Sequence, residues 1–282
     1  MIATRLMGGL GNQMFQYAAG RRLAIKRGVE LVLDLSYLTN QPRGDVPRHF
    51  ELECFHIVGR RATAPLDGGR VQRLLRLGRS NAFRRLRERG VQYQPAVVES
   101  PDNTLLIGYW QSEKYFKDEE AQIRRDFAFA AILSPEKRAV AKTIGENAVS
   151  VHVRRGDYVA HAAASKFHGV LPLEYYERAA AVITDKTENP HFFVISDDPA
   201  WCRGHIKLPG ATTFVGDTPG PGHEDMQLMS LCRHHIIANS SFSWWGAWLN
   251  ARDDKIVVAP RRWFTDESRD TRDLVPESWI RL

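Results

Sequence analysis

The sequence predicts an α/β protein with two Rossmann-like domains, each built on a parallel sheet, and three observations carry that expectation. Residues 2–34 run strand, glycine-rich turn, helix, strand, which is how a βαβ unit opens. Residues 148–249 alternate short apolar runs with helical periodicity. The chain has 282 residues, 43% hydrophobic and 26% charged, enough for one large core or two moderate ones, and domains usually hold roughly 100–200 residues. The expected division is an N-terminal α/β domain over 1–147 and a C-terminal one over 148–282, facing a cleft that would hold a ligand.

In chain order, the first strand spans 2–6 and the run Gly8-Gly9-Leu10-Gly11-Asn12-Gln13 follows as a tight turn. Phe15, Ala18, Ala19 and Leu23 mark the apolar face of a helix over 14–26, and Leu31-Val32-Leu33-Asp34 is the next strand. From 70 to 89, Arg70, Arg73, Arg76, Arg79, Arg84, Arg85, Arg87 and Arg89 interleave with apolar residues and predict a basic amphipathic helical region broken near Gly78. Its polar face is either solvated or laid against anionic lipid. A strand over 105–110 carries Tyr109 and Trp110 to its end, where they either pack in the core or stack on a sugar face. Ser134-Pro135-Glu136 opens a helix, with serine as N-cap and proline at the first helical position. Beyond it come strand 149–153, helix 173–183, strands 191–196 and 213–215, helix 224–232, strand 235–238 and helix 244–249, a doubly wound pattern.

Composition excludes several classes. Cys54, Cys202 and Cys232 are odd in number and widely spaced, so neither a disulfide framework nor a zinc site is indicated and a reducing compartment is expected. The first residues lack the basic and apolar regions of a signal peptide, and no apolar run approaches the roughly 18 residues of a membrane span. The expectation is a cytoplasmic chain, peripheral at most to the inner face of the cell membrane. A net charge of +6 suits an anionic substrate, an anionic membrane or nucleic acid equally. Recognised nucleic-acid motifs are absent, however, and the aromatic residues cluster around Trp244, Trp245 and Trp248 rather than among the arginines.

In a doubly wound sheet, ligands bind at the carboxyl ends of the strands, and three such ends here are unusually polar. The first reads His152-Val153-Arg154-Arg155-Gly156-Asp157-Tyr158. Arginine presents a planar, permanently charged fork that matches phosphate oxygens, so this end is suited to a phosphorylated ligand; the plainer alternative is a pair of surface charges with Asp157 as local partner. The second, Ser196-Asp197-Asp198, offers carboxylates to a guanine or a ribose, or simply caps a helix. At the third, Asn239-Ser240-Ser241-Phe242-Ser243 stands at a helix start, where hydroxyls and backbone amides can hold phosphate without metal or merely cap the helix. The N-terminal glycine run lacks both the Walker and the G-x-G-x-x-G spacing and serves either the turn or a ligand.

Three of these runs, Gly8-Gly9-Leu10-Gly11-Asn12-Gln13-Met14-Phe15-Gln16-Tyr17-Ala18, His152 to Tyr158 and Asn239 to Leu249, together resemble the α-1,2-fucosyltransferases of glycosyltransferase family 11, in the family's order and from the first strand to about Pro260. The H-x-R-R-x-D element is shared with other enzymes that use GDP-fucose. The resemblance implies a GT-B-like variant with the GDP-fucose site mainly in the C-terminal half and the acceptor cleft between the halves. It implies inverting transfer from GDP-β-L-fucose to the 2-hydroxyl of a terminal galactose on a glycan such as a lipopolysaccharide precursor. No cofactor and no metal are expected, and no D-x-D triplet is present. Carried over by position, Arg154 resembles the arginine that holds the β-phosphate, with Arg155 and Asp157 orienting the pocket. Gly9, Gly11, Asn12 and Gln13 resemble a loop that approaches the pyrophosphate; His152, Asp197, Asp198, Asn239, Ser240, Ser241, Phe242 and Ser243 resemble positions near the nucleotide. Glu224 and Asp225 fit as ribose or guanine ligands, or as helix caps. The catalytic base stays open among His168, Asp157, His152 and Glu224, with His168 in a stretch able to close over the site. Transfer with another linkage or another GDP-sugar, and a sugar-nucleotide binder without turnover, are the competing readings.

Overall fold

The computed structural model describes residues 1–41, 47–66, 83–156, 167, 169–217 and 220–282. The chain forms two compact units, Met1–Ala131 with Asp270–Leu274, and Ile132–Arg269 with Val275–Leu282. The changeover falls sixteen residues before the division expected at 147/148, since a helix that this division assigned to the first domain belongs to the second unit.

The first unit is a five-stranded sheet in the order β3-β2-β1-β5-β4, every pair parallel: β1 (Ile2–Arg5), β2 (Leu31–Asp34), β3 (Arg60–Ala62), β4 (Arg84–Arg87) and β5 (Thr104–Ile107). Helix α1 (Leu10–Arg27) returns the chain from β1 to β2 and ends at Gly28, whose left-handed φ of 63° closes the C-terminus without a Cβ penalty. It starts four residues earlier than the apolar period suggests. Gly9 stands extended as N-cap and its carbonyl accepts from Asn12 N and Gln13 N, so Gly11, Asn12 and Gln13 form the first helical turn instead of a loop. At Gly20 a Cβ would come within 3.0 Å of Thr4, so glycine sets how closely α1 lies on the sheet.

Part of the basic helix expected over 70–89 falls outside the described residues, and its C-terminal end is corrected: residues 84–87 are strand β4, pairing Arg84 to Arg87 with Thr104 to Ile107. An edge strand whose Arg84, Arg85 and Arg87 point to water satisfies its backbone on one side, and its charge discourages pairing on the other. Backbone pairing outweighs the helical apolar spacing there. Trp110 is fully buried and edge-on to Tyr115 at 5.5 Å, whereas Tyr109 is exposed.

The second unit holds six parallel strands in the order β11-β10-β9-β6-β7-β8: β6 (Ala148–Val153), β7 (His191–Ser196), β8 (Ala211–Phe214), β9 (His234–Ile236), β10 (Val257–Ala259) and β11 (Ile280–Arg281). Counted from β6, this is the Rossmann strand order, with the reversal of direction between β6 and β9. Both faces are covered, which is why β6, β9 and β10 are buried along their whole length, the polar Ser150, His152, His234 and His235 included. Val149, Val151 and Val153 point to α4 (Leu173–Thr184) through Tyr176, Ala180 and Ile183, and Ala148, Phe193 and Ile195 point to α6 (Gly222–Leu231) through Leu228 and Met229. Here α2 is Glu120–Asp126 of the first unit, α3 is Pro135–Ala141, α5 is Pro199–His205 and α7 is Ser241–Leu249. Ser134 caps α3 with Pro135 in its first turn, as the sequence indicates. All three cysteines are free and buried. Among the described residues no helix is long and apolar enough to cross a membrane.

Candidate functional site

Strand order brings the three polar strand ends side by side, because β7, β6 and β9 are neighbours and their registers align Val153 with Ser196 and Val151 with Ile236. The chain therefore leaves β6 and β7 with Arg154-Arg155 beside Asp197-Asp198. Arg154 Nη1 lies 3.2 Å from Asp197 Oδ2, Arg155 N donates to Asp197 Oδ1 at 2.8 Å, and Arg155 Nε lies 3.3 Å from Asp198 Oδ2. Burial by itself would raise the Asp197 pKa, but the Arg154 charge and the amides of Arg155 and Gly156 outweigh it, and the carboxyl is held below its ordinary range. A Cβ on Gly156 would approach Asp197 to 3.2 Å, so glycine lets the turn close on the carboxylate.

Asp198 has a second role. Its Oδ1 caps α5 by accepting from Trp201 N at 3.2 Å, with Pro199 in the first turn. The Arg155 guanidinium lies 4.4 Å over the Trp201 ring, which itself stacks on His205 at 4.5 Å and 9°. Arg155 is thus held on two sides, by a carboxylate and by an aromatic face, as a part that positions its neighbour. Sequence reasoning missed Trp201. Its only signal was an aromatic four residues beyond Asp197, and nothing local says that Arg155 stands above it.

His152, at the end of β6, is 3% exposed and its ring lies 5.3 Å from Phe242. Burial first and the Arg154 charge second push its pKa well below the ordinary histidine range, against the pull of Asp197. Its Nδ1 has no hydrogen-bond partner among the described residues.

At the third strand end, Asn239 Nδ2 donates to the carbonyls of Gly169 and Trp263, both at 3.2 Å. Ser240 caps α7, accepting from Phe242 N at 3.3 Å. Ser243 is fully buried and donates to the carbonyls of Ala238 and Ser240. Only Ser241 and Phe242 of this run are half-exposed in the first turn of α7.

The remaining expected residues make the following contacts. Glu224, 6% exposed, accepts from Ser134 N at 2.7 Å and Ser134 Oγ at 3.0 Å, and Asp225 pairs with Lys137 Nζ. These two carboxylates fasten α3 to α6, which is the reason α3 belongs to the second unit. In the first unit, Gln13 is fully buried, donating to Gly8 O at 2.9 Å and His49 O at 2.7 Å and accepting from Glu51 N at 3.0 Å. Asn12 Oδ1 accepts from Gln111 Nε2 at 2.7 Å. Gly8 has φ 72°, and a Cβ there would come within 2.5 Å of the Asn12 amide. Asp157 and His168 lie outside the described residues. Among the described residues, no three His, Cys, Asp or Glu side chains converge as a metal centre requires.

The sequence pattern of Glycosyl transferase family 11 matches residues 87–282. An "Alpha-1,2-colitosyltransferase" of Escherichia coli is 34% identical over 100% of this chain and 99% of its own length. An "O-antigen biosynthesis glycosyltransferase WbnK" of the same species is 36% identical over 98% of this chain and 99% of its own. Among solved structures, fucosyltransferase NodZ from Bradyrhizobium aligns over 87% of this chain and 92% of that one, with TM-score 0.48 and 16% identity. End-to-end likeness at these identities, together with the pattern over the whole second unit, shows that this chain is a glycosyltransferase and belongs to glycosyl transferase family 11.

Proposed function

We propose that this enzyme transfers L-fucose from GDP-β-L-fucose to the 2-hydroxyl of a terminal galactose on a glycan such as a lipopolysaccharide precursor, inverting the anomeric centre and requiring no divalent metal. The observation that carries the reading is the Arg154–Asp197 pair at the carboxyl end of β6, beside the point where the order of strand addition reverses. Two arginines face two aspartates here, so formal charge cancels locally. The attraction for a diphosphate therefore comes from geometry: a guanidinium held by one edge before the ligand arrives, and the first turn of α7 nearby.

Breaking the bond between the sugar and the β-phosphate places negative charge on phosphate oxygen and positive charge on the sugar ring. A preoriented guanidinium meets the developing phosphate charge better than it meets the ground state, which lowers the barrier. Asp197 fixes the plane of Arg154, and Arg155, gripped by Asp198 and Trp201, fixes the backbone behind it. Arg154 thereby takes the electrostatic role that a divalent ion has in other glycosyltransfer reactions. The full-length likeness to a colitosyltransferase favours a second reading, in which the donor is GDP-colitose. On the same reading the enzyme acts in the cytoplasm and is at most peripheral to the inner face of the membrane.

The test is transfer to lactose from GDP-fucose and, separately, from GDP-colitose, in buffer containing EDTA, with GDP release measured and product linkage determined. The expected result is an α-1,2-linked fucosyl product. Preference for the other donor supports the second reading. Donor binding without GDP release would refute turnover, and activity lost to EDTA and restored by added metal would refute metal independence.

A further inference from the structure

We infer that the edge of the first sheet at β4 is a docking surface for a bilayer of anionic phospholipid, held by Arg84, Arg87 and Arg89. The inference rests on the reading above only in its choice of partner, since a lipid-borne glycan acceptor is met at a membrane. Along the sequence, residues 68–87 hold seven arginines and no acidic residue, so this stretch alone carries +7 and the rest of the chain sums to −1 against a net +6. The structure places the last three of the seven on β4, all exposed, with Arg89 exposed two residues beyond.

The opposite edge of the same sheet supplies the contrast. Strand β3 is also an exposed edge bearing arginines, but each has a carboxylate: Arg60 Nε lies 3.1 Å from Glu30 Oε1, and Arg61 Nη1 lies 2.5 Å from Glu53 Oε1. At β4, Arg84, Arg87 and Arg89 make no ion pair among the described residues. The carboxylates that flank the strand are engaged with other groups. Asp102 stands beside the start of β4, where Arg84 N donates to Asn103 O at 2.7 Å, and pairs with the Met1 amino group. Glu88, directly after the strand, accepts from Tyr109 N at 2.6 Å and from Trp110 N at 2.8 Å. Charged side chains are enough to discourage a second strand from pairing with an edge, and β3 carries its own with the charge neutralised. Edge protection therefore accounts for the arginines of β4 but not for their uncompensated charge, which repels itself unless an anion meets it. Arg84 and Arg87 leave opposite faces of the strand, and at about 3.3 Å per residue the three arginines span roughly 17 Å of one rim. Their long stems reach past the rim from either face, so the guanidinium groups match a layer of phosphate headgroups better than a single small anion. Nucleic acid offers the same charges, but its bases are held by stacking on aromatic rings, and no aromatic residue lies between Arg84 and Arg89.

Sedimentation of the full chain with vesicles of phosphatidylcholine, alone or with about one third phosphatidylglycerol, tests the surface at about 0.1 M and about 1 M salt, which screen charge to different depths. Three proteins are compared: wild type, a triple variant Arg84→Gln, Arg87→Gln and Arg89→Gln, and a control triple Arg60→Gln, Arg61→Gln and Arg252→Gln that removes the same charge from paired positions. The expected result is wild-type binding to the anionic vesicles alone, lost at the higher salt, weakened about a hundredfold in the first triple variant and at most about threefold in the control. Melting temperature and the rate of transfer to lactose stay at wild-type values in the first triple variant. Wild-type indifference to phosphatidylglycerol overturns the inference. So does a control as weak as the first triple variant, which would leave only net charge, and so does stronger binding to a duplex oligonucleotide that the same three substitutions abolish, which would make nucleic acid the partner. A wild type that transfers from no GDP-sugar refutes the function and leaves the vesicle result standing, whereas an active enzyme that ignores anionic vesicles refutes only the docking surface.

Discussion

Replacing Asp197 by asparagine removes one charge from the centre of the strand-end cluster while keeping its shape. At 3.2 Å, the gross attraction between Asp197 and Arg154 is on the order of 5 kcal/mol at an effective dielectric near 20. Both side chains keep about a fifth of their surface in water, 18% and 22%, so the net loss falls below the roughly 3–5 kcal/mol of a fully buried pair. Asparagine also still accepts from Arg155 N through its carbonyl oxygen, at a weaker neutral strength. The expected destabilisation is about 2–3 kcal/mol, a melting temperature roughly 5–10 °C lower for a unit of this size. The folded state depresses the Asp197 pKa, so the carboxylate stabilises above the ordinary carboxylate range and that contribution fades as pH falls through it; the gap between wild type and variant should be constant from pH 8 to 5 and shrink below about pH 4. Melting curves over this range, with a double-mutant cycle through Arg154→Ala, measure the coupling directly, and at least 1 kcal/mol is expected. Because Asp197 orients Arg154, turnover should also fall by about tenfold while the donor KM changes less. A variant as stable as wild type at pH 7, or a coupling near zero, would refute the claim that the carboxylate organises the arginine.

The remaining expectations address neighbouring parts. Arg154→Ala should lower transfer at least about a hundredfold, the size typical for loss of one preorganised charge donor, and near-normal kinetics would remove it from the site. Glu224→Gln should cost about 1–3 kcal/mol of stability by loosening Ser134, with the donor KM unchanged; a raised donor KM in a folded variant would return Glu224 to the nucleotide. His152, His234 and His235 are buried with pKa values pushed down, chiefly by desolvation, so the unfolded chain binds their protons first. Stability should therefore fall as pH drops below about 6.5, by up to about 1.4 kcal/mol per pH unit for each of His152 and His235 with His234 adding in the same direction, before carboxylates titrate. His235→Gln should flatten that slope, and chemical denaturation at pH 7.0, 6.0 and 5.0 reads it.

What could be read along the chain is what local physics encodes. Strand β2 matches its expected bounds because a three-residue apolar run closed by Asp34 has one outcome between two turns, and Ser134 with Pro135 announces a helix start that needs no distant partner. The arginine pair, the aspartate pair and the serine run were legible as strand ends for the same reason. Residues 84–87 were not legible, because an interleaved arginine and leucine pattern satisfies a helix face and an edge strand alike, and β5 made the choice. Nor was the partnership at the site. Arg155 and Asp197 are 42 residues apart and meet only because β6 and β7 are adjacent in the sheet, and Glu224, by its motif a ribose or guanine ligand or a helix cap, accepts from Ser134 across 90 residues. Periodicity and capping report dihedral preference and the direction of burial, whereas strand order is fixed by the packing of whole layers. For that reason the sequence determined which chemistry this chain carries, and the tertiary structure decided which charged groups touch and which are diverted to holding the fold.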